Sequence, residues 1–211
     1  MMRRRLLATA LGLSLATLPL ASVHAWEARV EGIKNHWERV ITEQAEGERG
    51  DGLKALAGQA ERLVAEHPNA ATPLVWQGII EASWARERSG LGALSSAKSA
   101  RDALERAVEL DPEGHNGSAW VTLGALYHRA PGWPVAFGDD ETADRMFRRA
   151  LSIRPQGIDV NYYYADFLDD EDRHDEAREH ARRALVGQAR EARRASDEAL
   201  REEARALLER F

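Results

Sequence analysis

The 211 residues contain no cysteine. This excludes disulfide staples, a thiol nucleophile and lipid attachment to an N-terminal cysteine, so the fold must be held by its apolar core. Long apolar runs are also missing. The one candidate, "LLATALGLSLATLPLA", is broken by Pro19 and falls short of the ~20 residues a spanning helix needs. It follows the cationic start "MMRRR" and precedes "VHA", with small residues at Val23 and Ala25. This is the three-part form of a secretory leader. The expectation is a signal peptide over 1–25, cut after Ala25. The exported chain would then be periplasmic, with no integral membrane segment.

An excess of positive charge is absent as well. The formal net charge is −6, and with Arg3, Arg4 and Arg5 set aside, 26 basic side chains face 35 acidic ones, or −9. Nucleic acid is excluded as a partner, because its binding depends on Lys and Arg displacing counterions. There is no G-x-S-x-G elbow, no G-x-x-x-x-G-K phosphate loop and no H-E-x-x-H metal site. "SGLGALSS" holds a Gly-x-Gly without the third glycine or a preceding strand, and reads as a loop.

What is present is a repeat. "WVTLGALY" places Trp120, Leu123, Gly124 and Tyr127, and "ADRMFRRALSIRP" places Ala143, Phe147, Ala150 and Pro155. These match the tetratricopeptide (TPR) pattern of two packed helices. Small residues sit where the helices approach, large ones fill between them, and proline ends the second helix because it has no N–H to donate. Trp120 and Ala143 stand 23 positions apart, about seven more than usual. The preceding repeat carries Trp76, then Ala100, Leu104, Ala107 and Pro112, with a similar excess of about eight. The following repeat has ordinary spacing: Asn161, Tyr164, Ala165 and Leu168, then Ala177, Ala181 and Ala184. Upstream, Leu56, Ala60, Leu63 and Pro68 keep the second-helix spacing after a degenerate first helix.

The fold class is therefore all-α: a TPR-like α-solenoid of helix-turn-helix repeats with two loop inserts and a C-terminal capping helix. One domain is expected over 26–211, with repeats near 27–68, 72–112, 117–155 and 158–187. The final helix, 189–211, carries an apolar stripe through Ala199, Leu200, Leu207 and Phe211. It is read as the polar cap that a solenoid needs at its end.

Chemistry-bearing clusters are few. "DDEDRHDEAREH" (169–180) offers carboxylates and two histidines, but His174 and His180 are six apart, about 240° around a helix. The glycine of a calcium loop is missing too. No metal, cofactor or catalytic residue is assigned. An enzyme would need Arg129, His128 and a carboxylate to converge.

The first helices of such a stack line its concave face. Spacing from Trp76 points Gln77, Glu81 and Trp84 toward it. Spacing from Trp120 adds Ala125, His128 and Arg129, and spacing from Asn161 adds Tyr162, Asp166 and Asp169. Apolar bodies with polar handles suit peptides or small organic ligands; the same rings also serve plain packing. A buried Arg129 requires an anion, either Asp166 or a ligand carboxylate. In the insert "RAPGWPVAFGD", Pro131 and Pro134 stiffen, Gly132 and Gly138 turn, and Trp133 and Phe137 are expected to be held down by burial. Asp139 is placed to cap the next helix.

The stretch from about 74 to 151, with "LVWQGIIEASW", "ALERAVELDP" and "LGALYHRAPGWPVAFGDDETADRMFRRAL", resembles the T-component proteins of tripartite ATP-independent periplasmic (TRAP) transporters. That resemblance implies a helical periplasmic protein that associates with a solute-binding partner and handles an organic, often hydrophobic or carboxylate-bearing, solute. The leading functional reading is a non-enzymatic periplasmic adaptor for protein–protein interaction, its partner another periplasmic protein or a peptide. The alternative is a transporter-associated binder of a small organic solute. The two differ in whether the groove is open along its length or closed into a pocket.

Overall fold

The structure is a computed structural model that describes residues 20–211, with side chains from residue 26. The expected leader, 1–25, lies outside the residues whose side chains are described. Nine α-helices and a 3-10 turn make up the described chain: α1 Leu20–Glu43, α2 Arg49–Glu66, α3 Ala71–Arg86, α4 Gly90–Leu110, α5 Ser118–Arg129, α6 Asp140–Ile153, α7 Ile158–Asp170, α8 His174–Val186, the turn Glu191–Arg193 and α9 Arg194–Leu208. None of these helices is long and apolar enough to cross a membrane. Consecutive helices pack as antiparallel pairs into an all-α solenoid.

The pairs are set by small residues facing large ones. A Cβ on Gly124 would lie 2.8 Å from the Phe147 ring, and one on Gly78 would lie 2.3 Å from Leu104 Cγ. In both pairs glycine lets the second-helix side chain seat against bare backbone. Leu56, Ala60 and Leu63, Ala100, Leu104 and Ala107, Ala143, Phe147 and Ala150, and Ala177, Ala181 and Ala184 are all buried. Pro68, Pro112 and Pro155 each follow shortly after the end of a second helix, as their missing N–H dictates.

The first of the two expected inserts is not a loop. "GLGALSS" forms the opening turns of α4, which is 21 residues long. Gly90 and Gly92 each cost a helix up to about 1 kcal/mol relative to Ala, but Ser96 and Ala97 are buried and Ser96 accepts from Arg88 at 3.0 Å. Tertiary packing outweighs the glycines.

The second insert is an ordered loop. The Asp139 N–H donates to Tyr127 O at 3.0 Å, and the Gly138 N–H donates to Pro131 O at 2.9 Å. A Cβ on Gly138 would sit 1.9 Å from Ala130 O, so only glycine permits the loop to fold back there. Asp139 caps α6, accepting from the Thr142 N–H at 2.7 Å. Phe137 packs edge-on against Tyr127 at 5.5 Å, and the Arg101 guanidinium lies 4.6 Å from its ring centroid. Trp133 corrects the expectation of burial: it stands 90% exposed at the tip. The loop is closed by main-chain hydrogen bonds, so it does not depend on that indole.

The C-terminal helix does more than cap one end. α9 packs on α7 and α8 and also reaches α1. The Ser196 N–H donates to Glu38 Oε1 at 2.7 Å, and the Arg193 guanidinium lies 4.7 Å from the Trp37 ring centroid. The last helix thus meets the first across the concave face.

Candidate functional site

Beside that contact the concave face holds a part-open chamber of about 460 Å³. Its apolar walls come from Trp37 and Ile41 on α1, Ile79 on α3, Val121 on α5, Tyr163 on α7 and Leu200 on α9. Trp37 is fixed on both sides. Its Nε1–H donates to Ser83 Oγ at 2.9 Å, Ser83 in turn donates to Ile79 O at 2.8 Å, and Trp76 meets the ring edge-on at 5.7 Å.

Four arginines also line the chamber: Arg49, Arg86, Arg129 and Arg193. Arg49 lies 3.8 Å from Glu87. Arg129 donates to Asp166 Oδ2 at 2.8 Å and lies 5.4 Å from the Tyr163 ring centroid. Arg193 touches two indoles, Trp37 at 4.7 Å and Trp76 at 5.7 Å. Burial, followed by the Arg190 charge, pushes its guanidinium down to about 10, so it is still a cation at neutral pH. Arg86 makes no ion pair among the described residues. Glu87, Asp159 and Glu203 line the chamber too, so its free cation among the described residues is Arg86, and an apolar body beside that unpaired guanidinium suits an amphipathic anion.

The residues singled out from sequence divide into three groups. Arg129 lines the chamber, as does Ala125, and Asp166 sits behind Arg129 as its partner. Tyr162 is buried and donates its hydroxyl to Glu203 Oε2 at 3.2 Å, and Glu203 lines the chamber. Burial raises the Tyr162 hydroxyl well above its ordinary range.

The others lie elsewhere. On α3 the wall is Ile79, Ser83 and Arg86, and not Gln77, Glu81 and Trp84. Trp84 packs into the core beneath the Arg88 guanidinium at 4.2 Å. Glu81 is half-buried, and burial raises its carboxyl. His128 turns to α7, with Nε2 3.0 Å from Asp170 Oδ2 and its ring 5.2 Å from Phe167. His128 and Arg129 thus engage different carboxylates and do not converge. Of the insert, Pro131 reaches the chamber, whereas Trp133 and Phe137 do not.

In the acidic stretch 169–180, His174 Nδ1 meets Asp169 Oδ1 at 3.0 Å while His180 Nδ1 meets Asn161 Oδ1 at 2.9 Å. Trp37, Tyr163, Arg86 and Arg193 escaped the sequence reading. α3 is buried on nearly every side from Pro73 to Ile80 and so has no periodicity to set its phase. The α1–α9 contact has no local signature.

No protein-family model matches the chain, and no curated protein matches it. Solved structures do. TTC0263, a thermophilic TPR protein in Thermus thermophilus, superposes with a TM-score of 0.58 at 15% identity, over 90% of this chain and 93% of that one. Two structures of MamA give TM-scores of 0.48 and 0.46 at 16% and 17% identity, over 86% and 84% of this chain and 90% of each of theirs. The match to TTC0263 is a likeness of fold, and together with the helix order it makes this chain an all-α solenoid of the TPR type.

Proposed function

We propose that this protein is a non-enzymatic periplasmic binding protein whose part-open concave chamber holds a small amphipathic organic anion, and which works by associating with a partner protein. One observation carries the reading: α9 spans to α1 and bounds a space of about 460 Å³. That lies within the ~300–1,000 Å³ typical of small-molecule sites. The chamber lining contains no histidine, and the Ser83 hydroxyl is spent on a backbone carbonyl; both favour binding over catalysis. The leader-like start supports the periplasm. The likeness to T-component proteins supports a carboxylate-bearing solute and a solute-binding partner.

A protein-contact role has its own support. Trp133 is 90% and Val135 61% exposed on a loop that main-chain bonds hold in shape. Such an apolar tip on an ordered base fits a docking contact, so solute and partner would meet the molecule on different surfaces.

Native mass spectrometry of gently purified protein, with and without medium-chain and aromatic carboxylates, tests the solute reading. A bound acid weakened about tenfold or more by Arg86→Ala, the worth of one charge-assisted hydrogen bond, is the expected result. Indifference to every acid offered would sink the solute reading. A partner retained by wild type and lost in Trp133→Ala would then leave the adaptor.

A further inference from the structure

A second cavity, of about 120 Å³, lies where residues 190–193 cross α1, α3 and the α4–α5 turn. Lys34, His115, Arg154, Arg190 and Arg193 line it, and no carboxylate does. The donors around it are underused. Trp76, 2% exposed, has a buried Nε1–H with no hydrogen-bond partner among the described residues. The same holds for Arg154 Nε and Nη1 and for Arg193 Nε. Leaving a buried donor unmade is costly, more so on a charged group. Here four such donors belong to three residues that line one small space.

The nearby carboxylates are already committed. Asp159 accepts from Arg154 Nη2 at 2.7 and 2.8 Å and lies 3.0 Å from Arg190. Asp197 takes the Arg190 backbone N–H at 2.8 Å and its Nε at 3.0 Å. Lys34 pairs with Glu31 at the surface. Glu38 Oε2, a buried acceptor without a partner, belongs to the α1–α9 contact and does not line this cavity. Arg193 has no ion pair among the described residues; its guanidinium lies against the Trp37 and Trp76 rings, and the charges of Asp159, Asp197 and Glu38 act on it from farther off. Residues from α3, the end of α6 and the 191–193 turn thus bring positive charge and unpartnered buried N–H groups to the walls of one space, the chemistry that holds an oxyanion.

We propose that this cavity binds a small oxyanion, which bridges Trp76 and Arg154 of the solenoid to Arg193 and so pins the C-terminal segment that borders the chamber. The inference does not depend on what fills the chamber. The two spaces share Ser118 and Arg193 in their linings, so the oxyanion has two possible sources: a free phosphate or sulfate, or the anionic head of a ligand whose body lies in the chamber.

The indole N–H resonance of Trp76, assigned through Trp76→Phe, reads the site directly. Inorganic phosphate, sulfate and octanoate are each titrated into the full chain at ionic strength held constant with chloride. A saturable shift of that resonance by phosphate or sulfate, with a rise in Tm, supports the site and makes its ligand a free ion. A shift produced by octanoate alone, and abolished by the chamber-filling variant Ala125→Trp, supports it as a head-group site. Read from the anion dependence of Tm, Trp76→Phe, which keeps an aromatic ring and removes the donor, should weaken binding about tenfold, and Arg193→Gln at least as much. An unmoved Trp76 resonance with all three anions overturns the proposal. So does binding of equal strength in wild type, Trp76→Phe and Arg193→Gln.

Discussion

Ser196 on α9 donates its backbone N–H to Glu38 Oε1 on α1 at 2.7 Å, across 158 positions of sequence. This bond joins the first and last described helices at the border of the chamber, which Ser196 lines. Glu38→Ala removes the acceptor and leaves a part-buried N–H unmade, a loss of about 1–3 kcal/mol. Glu38→Gln retains an acceptor oxygen and should lose much less. Urea unfolding measures the difference, and limited proteolysis near 187–193 should rise in the Ala variant alone.

Two glycine substitutions should move stability in opposite directions. Gly124→Ala forces a Cβ to 2.8 Å from Phe147 in a packed core, a strain of about 1–3 kcal/mol. Gly58, in α2, has only the flexible end of Arg62 within reach, at 3.7 Å, so Gly58→Ala should gain about 0.5–1 kcal/mol from helix propensity. Thermal unfolding of both variants gives the two signs.

Gly124, Phe147 and the alanines of the second helices made the fold legible, because each encodes a local approach of adjacent helices. Arg129 was legible for the same reason, its position being fixed by counting from Trp120. The chamber wall on α3 was not, since a helix buried from Pro73 to Ile80 offers no polar face from which to take a phase. Arg193 and Trp37 were beyond reach for another cause. They meet only because α9 returns to α1, and no spacing in the sequence records a contact between chain ends.

Asp159 should dominate one window of acid stability. Burial alone would raise its carboxyl, but the charges of Arg190 and Arg154 hold it down at about 2, below its ordinary 3.8. A depressed carboxylate contributes stability that is complete above its unfolded value and is lost as pH falls through the folded one. The window is therefore about pH 4 down to pH 2, and the contribution is about 2 kcal/mol. Denaturant unfolding from pH 6 to pH 2 should show Asp159→Asn less stable at neutral pH, with a shallower acid limb. Curves that run parallel for variant and wild type would contradict this.

The insert should separate folding from contact. Phe137 lies against Tyr127 and Arg101, and Phe137→Ala should lower stability by about 1–3 kcal/mol. Trp133, at 90% exposure, should tolerate Trp133→Ala within about 0.5 kcal/mol. Chemical denaturation of the pair checks both.

The central claim, that the concave chamber is the binding site, is tested most directly by filling it. Ala125 lines the wall on α5, and Ala125→Trp places an indole in the space a solute would take. Calorimetric titration with a medium-chain carboxylate should show one saturable site in wild type, and none in Ala125→Trp despite an unchanged helical spectrum. Equal affinity in the two proteins would place the site elsewhere and contradict the account.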